Sequence, residues 1–208
     1  MQAQSQSQSS AQAQTQPQQR SIQFSHFGVN CFDLERMEDF YTRVIGFVVT
    51  DRGTLQVGER IVFLSMDPNE HHQLVLVSGR AEGEVRDDPP IGGSLGTAIM
   101  QISFRLRDLD ALRQIHDRLK REGMTNFVQR NHGIAWAVYV RDPEGNALEL
   151  FVDTEWYVHQ PFGKPLDLTQ SNEHILRETE TLCKGSPGFQ PFAEWKAKVA
   201  KEIAQKLG

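Results

Sequence analysis

The chain has 208 residues, 38% hydrophobic and 24% charged, an ordinary globular composition with length for one domain or two fused small units. A net charge of −5, with no local basic patch to offset it, argues against nucleic acid as a partner. No apolar run approaches a membrane span, and Cys31 and Cys183 are too few for a disulfide scaffold or a thiolate zinc cluster.

Residues 1–20, "MQAQSQSQSSAQAQTQPQQR", have neither the cationic nor the apolar region of a secretory signal. Their Gln/Ser/Ala-rich composition buries too little apolar surface to offset the entropy of ordering, so they are expected to be a disordered tail. A reducing cytoplasm is the expected location.

Order is expected from residue 21. "IQFSHFGVNCF" (22–32) alternates as a strand, and Asp33 is placed to cap a helix with Leu34, Met37, Phe40, Tyr41 and Val44 on one face. Strands are expected near 46–51 and 60–66, and "QLVLV" makes a fourth. The order then returns. "AIMQISFRL" (98–106) reads as a strand, Asp108 as the cap of a helix carrying Leu109, Leu112, Ile115 and Leu119, and Gly123 as its stop. Strands follow near 125–129, 134–140 and 147–152.

The two halves share a register. Asp33-Leu34 returns as Asp108-Leu109, Asp67-Pro68 as Asp142-Pro143, and "VLV" (75–77) as "LFV" (150–152), each 75 residues on. The expected fold is therefore α+β: two tandem βαβββ modules, about 22–78 and 97–153, forming a cupped mixed sheet over 21–153. The Gly/Pro-rich "SGRAEGEVRDDPPIGGSLG" links them. Residues 154–208 form an extension ending in an amphipathic helix with Phe192, Trp195, Val199, Ile203 and Leu207 on one stripe, expected to pack on the domain or on a second subunit.

Register also orders the chemistry. Glu149 is a carboxylate within the apolar "NALELF", and its counterpart in the first copy is Leu74; His26 pairs in the same way with Gln101. A carboxylate among Leu and Phe is costly unless it faces a cation or accepts hydrogen bonds. His26, Gln101 and Glu149 therefore form a candidate metal site, a donor set suited to Fe(II), Mn(II), Co(II), Ni(II) or Zn(II) with positions left for substrate. Two apart on a strand share a face, so His72 should stand beside Leu74 inside the cup, with His71 on the rim. The plainer alternative is two solvated histidines in a loop after "DPNE". His132 and Tyr139, just before Glu149, can hold and protonate an oxygen-rich ligand, or be a loop histidine and a packed tyrosine.

"NHGIAWAVYVRDPEGNALE" closely resembles the signature of extradiol ring-cleavage dioxygenases: a His, an apolar residue and Tyr, then Asp-Pro-x-Gly and a metal-binding Glu. Only Arg130, where that pattern takes a smaller residue, departs from it. "SHFGVNCFDLERMEDFYTRVIGF" is similar to the entry of their catalytic domain. The wider family is the vicinal oxygen chelate superfamily, which includes glyoxalase I, methylmalonyl-CoA epimerase, fosfomycin-resistance and bleomycin-resistance proteins. The resemblance covers about residues 22–153. It implies iron bound by His26 and Glu149, His72 as the acid/base residue, and His132 and Tyr139 as groups orienting substrate oxygens. Gln101 stands where these dioxygenases place a second His ligand, so Fe(II) affinity should fall and preference drift toward Mn(II) or another divalent metal. The implied partners are a catechol-like substrate and O2. Paired-module proteins often form a homodimer, although no residue here marks an interface. Trp156 and Tyr157 are read either as a wall closing the cavity or as anchors of the tail.

Three functions compete: an extradiol-type dioxygenase, a glyoxalase- or epimerase-like proton-transfer enzyme, and a metal-free ligand-sequestering protein. The second generally needs a ligand or base where Leu74 stands, and the third has no use for Glu149 opposite His26.

Overall fold

The computed structural model describes residues 22–83 and 99–207. The tail and most of the linker between the copies lie outside the described residues. The first module runs β1 (Phe27–Asn30), α1 (Leu34–Asp39), β2 (Val48–Thr54), β3 (Arg60–Ser65) and β4 (Leu74–Val77). The second repeats it as β5 (Ile102–Arg105), α2 (Leu109–Arg121), β6 (Val128–Asn131), β7 (Ala135–Arg141) and β8 (Ala147–Asp153). Both expected caps form: Asp33 accepts from the Arg36 N–H at 3.0 Å and Asp108 from the Ala111 N–H at 2.8 Å. The first helix passes into a π-helical turn, Phe40–Ile45, and stops at Gly46, whose φ of 107° suits only glycine.

Each module closes its own mixed sheet. The first is ordered β1-β4-β3-β2, with β1 parallel to β4, and the second β6-β7-β8-β5, with β5 parallel to β8. One hydrophobic cluster takes Leu34, Met37, Phe40, Tyr41 and Val44 from α1 and its π turn, and Leu109, Leu112, Ile115 and Leu119 from α2. These are the two stripes read from the sequence, and the inward faces of both sheets complete the cluster.

The modules join away from the strands. Glu144, in the turn between β7 and β8, accepts from the Phe32 N–H at 3.0 Å and the Asp33 N–H at 2.8 Å. Its side chain is fully buried and pairs with Arg80. Tyr41 donates to Asp142 at 3.0 Å from within the same core, and Phe47 packs on Phe104 at 5.8 Å.

The repeat is not exact at the level of faces. Gly28 pairs with Val75, whereas Ser103 pairs with Glu149. Leu74 is fully buried in the core. The residue that faces as Glu149 does is therefore Val75, and Leu74 points to the opposite side. A one-residue slip in strand pairing turns every side chain over.

The extension comprises β9 (Trp156–Tyr157), β10 (Lys164–Pro165), α3 (Asn172–Lys184), β11 (Gln190–Pro191) and α4 (Phe192–Leu207). Strand β10 adds to the edge of the second sheet beside β6. Thr179 of α3 accepts from Asn131 Nδ2 and Trp136 Nε1, each at 2.8 Å, and Arg113 of α2 donates to the carbonyls of Leu168 and Gln170. Trp156 packs on the core, while Tyr157 stacks on Trp195 at 5.0 Å and 15°. Both rings thus act as anchors of the tail. The α4 stripe (Phe192, Trp195, Val199, Ile203) is half-exposed beyond that anchor. Among the described residues no helix is long and apolar enough to cross a membrane.

Glu144→Ala is expected to cost about 3 kcal/mol in denaturant unfolding, because it orphans two backbone donors and a guanidinium. Arg80→Ala should cost clearly less, since Arg80 is 39% exposed and the two N–H donors remain on Glu144. Thr179→Val, removing the acceptor for two buried donors, should cost about 2 kcal/mol in the same assay.

Candidate active site

Alternation sorts the second sheet into two faces. Leu148, Leu150 and Val152 of β8 enter the core, so Glu149, Phe151 and Asp153 line the other face. The pairings Ser103–Glu149 and Tyr139–Glu149 place the residues of β5 and β7 beside them. Glu149 is half-buried, and its carboxylate is the centre of a network. Oε2 accepts from Ser103 Oγ at 2.6 Å and from Gln101 Nε2 at 2.7 Å, while Oε1 accepts from the Tyr139 hydroxyl.

Tyr139 continues the network to His132, whose Nε2 lies 3.0 Å from the hydroxyl and whose Nδ1 lies 2.7 Å from the Phe162 carbonyl. A carbonyl only accepts, so Nδ1 carries a proton. With a neutral ring, the single Tyr139 hydrogen must serve either Nε2 or Glu149. His132, Tyr139 and Glu149 thus form one hydrogen-bonded relay anchored on the Phe162 carbonyl. Burial first, and the hydrogen bond to Glu149 second, push the Tyr139 phenol above its ordinary value.

Local structure fixes His132. The next residue, Gly133, has a φ of 70°, and a Cβ there would stand 2.6 Å from Val158 and 3.2 Å from Cys183 Sγ. Only glycine makes this close turn, which Asn131 Oδ1 closes by accepting from the Gly133 N–H at 2.9 Å.

The first module contributes a second cluster. The His26 and His72 rings lie 4.1 Å apart, and His72 also packs on Phe63 at 5.1 Å. Phe63 pairs with Val75, so it shares the face equivalent to that of Tyr139 and Glu149. His72 therefore reaches the expected side, but from the loop before β4 rather than by alternation with Leu74. Its basicity is lowered by burial and by its histidine neighbours. His71 contacts His72 through Nδ1 at 2.9 Å and sits exposed on the rim, 3.9 Å from Asp51. A cavity of about 590 Å³ opens between the modules, lined by Ser25, Phe27 and Gln73 of the first and by Ser103, Phe104, Arg105 and Leu150 of the second; of the two clusters only Ser103 lies on its wall. That volume suits a small ligand.

Of the residues expected at the site, Gln101, His132, Tyr139 and Glu149 meet directly, and His26 meets His72. Among the described residues no three His, Cys, Asp or Glu side chains stand together as a metal-binding group, and the contacts of His26 are with Ser25 and His72. Gln101 turns its amide nitrogen, not its oxygen, toward Glu149. Ser103 was missed, although it lies two residues after Gln101 and therefore on the same face; strand alternation alone could have found it.

Residues 23–150 match the family described as the Glyoxalase/Bleomycin resistance protein/Dioxygenase superfamily. The chain is 28% identical over 131 residues to a Rhodococcus globerulus protein, Biphenyl-2,3-diol 1,2-dioxygenase 2, spanning 63% of this chain and 63% of that relative. It thus covers less than two thirds of that protein. It is 27% identical over 171 residues to Biphenyl-2,3-diol 1,2-dioxygenase 3 of the same organism, covering 82% of this chain and 79% of that one. A glyoxylase/bleomycin resistance protein/dioxygenase domain from Frankia sp. EAN1pec shares the fold, with a TM-score of 0.51 at 20% identity over 64% of this chain and 93% of that chain.

Burial raises the phenols of both Tyr139 and the core residue Tyr41. The folded chain therefore holds these protons more tightly than the unfolded chain, and stability should fall as pH rises beyond about 10. In an alkaline absorbance titration, two of the three tyrosines should resist ionisation until unfolding; a normal titration of both would contradict the geometry.

Proposed function

The chain belongs to the glyoxalase/bleomycin resistance/dioxygenase superfamily, and from that premise we propose that it is a metal-dependent extradiol-type dioxygenase opening the ring of a catecholic substrate with O2. The observation that carries this reading is the network on Glu149, in which the signature residues His132, Tyr139 and Glu149 act as one unit. A protein that only sequesters a ligand needs no hydrogen-bonded relay of His, Tyr and Glu ending on a half-buried carboxylate. A glyoxalase-like reaction generally needs a ligand or base on the strand that here offers Val75 to the site and Leu74 to the core. Neither side chain can serve.

The donor set fits a divalent metal: an imidazole, a carboxamide and a carboxylate turned out of the apolar core. His26, Gln101 and Glu149 would hold it, Gln101 by exchanging the ends of its amide so that oxygen faces the ion. A bound Fe(II), or Mn(II) in its place, would carry electrons between the diol and O2.

The rest falls to the chain's own groups. His72, with its lowered basicity, is suited to take a proton from a diol hydroxyl near neutral pH and return it later. Tyr139, kept protonated by burial, donates a hydrogen bond to a substrate oxygen when it releases Glu149. His132 holds Tyr139 in place through its Nε2. Phe63 flanks His72 as an apolar wall.

Elemental analysis of protein purified without chelator, combined with oxygen uptake on a panel of catechols, tests the reading. About one equivalent of iron or manganese and uptake that Glu149→Ala abolishes are expected. No uptake across the panel with Fe(II) resupplied would overturn it. Gln101→His should raise Fe(II) affinity, measured by competition with a chromogenic chelator.

A further inference from the structure

The one departure from the sequence signature, Arg130, stands on the face that carries the site. In β6, Gln129 faces inward, its amide 3.4 Å from His116 of α2, and Asn131 faces inward to Thr179 of α3. Val128 and Arg130 alternate with them and face the other way. Val128 pairs with Tyr139, which pairs with Glu149; Arg130 pairs with Ala137, which pairs with Phe151. Arg130 is thus the diagonal neighbour of Tyr139, within reach of a long side chain, and the residue directly opposite it is the small Ala137.

The guanidinium has no acidic partner there. Among the described residues Arg130 makes no ion pair, and its hydrogen bond is from Nη1 to the Gln129 carbonyl at 3.3 Å. The acids of the same face are engaged elsewhere: Glu149 by Gln101, Ser103 and Tyr139, and Asp153 by Arg105 and Lys196. Its positive charge is felt at Tyr139, where it favours the phenolate. Arg130 is half-buried, and a guanidinium presents a planar fork of donors matched to a carboxylate.

We infer that Arg130 is a specificity residue that binds a carboxylate substituent on the substrate, so that this site takes anionic rather than neutral catechols. The inference rests on the dioxygenase reading for the diol but not for the anion. Placed on Arg130, the carboxylate directs the rest of the aromatic ring along the face toward Tyr139 and Glu149.

The test titrates the full chain calorimetrically, without oxygen, against a vicinal dihydroxybenzoate, its neutral carboxamide, and the benzoate lacking both hydroxyls. The charged diol is expected to bind on the order of tenfold to a hundredfold more tightly than the carboxamide, the range of a charge-assisted hydrogen bond. Arg130→Gln should remove that preference, and Arg130→Lys should restore part of it and confirm that the position tolerates exchange. Equal binding of the two diols, a preference that survives Arg130→Gln, or no binding of any ligand would overturn the inference. Arg130-dependent binding of the benzoate without oxygen uptake on any diol would support the anion site while sinking the dioxygenase reading. Uptake on neutral and charged diols alike would do the reverse.

Discussion

The buried carboxylate of Glu144 ties the two modules together, and the position of the site depends on it. Among the described residues the two sheets share no strand pairing, so nothing in their described ladders fixes one against the other. The join comes instead from a turn of the second module reaching the start of the first helix. There Glu144 accepts from the N–H of the cap residue Asp33 and of Phe32 just before it, and it pairs with Arg80. Tyr41 and Asp142 repeat the logic one step deeper, with a hydroxyl meeting a carboxylate inside the shared core. Polar contacts of this kind are directional. They set the modules' angle in a way that the surrounding apolar contacts alone do not.

The outward face of the second sheet carries Glu149 with its three donors, and the first module carries the paired imidazoles of His26 and His72 beside Phe63. The extension then braces the second module from behind. Thr179 holds the inward side of β6 and β7, so that their outward residues, Arg130 and Tyr139, have a fixed base. Phe162, from the same extension, supplies the carbonyl that orients His132. The tail is therefore part of the site's support even though its aromatic rings do not line the cavity.

The site is also more polar in its balance than a metal cage alone requires. Glu149 accepts hydrogen bonds from three neutral donors, Gln101, Ser103 and Tyr139. A metal would exchange some of those bonds for ligation rather than fill an empty cage. Ser103 and Tyr139 can follow the carboxylate through that exchange, since a hydroxyl rotates freely where an amide has only two useful orientations.

The amino-acid sequence by itself determined the duplicated βαβββ plan, both helix caps, the core stripes of both helices and the cluster of His132, Tyr139 and Glu149. These follow from local periodicity, cap chemistry and a motif whose residues lie close along one hairpin. Tertiary structure alone decided the pairing of faces. The 75-residue repeat aligns Leu74 with Glu149, yet parallel pairing of β1 with β4 slips by one residue and gives that place to Val75. No local pattern reports such a slip, because Leu74, Val75 and Leu76 are all apolar and satisfy either register. The division of the expected ligands between two clusters and the anchoring of His132 on the Phe162 carbonyl likewise depend on partners far away along the chain. Distance in sequence carries no signal of contact, and only the packed fold brings those groups within hydrogen-bonding reach.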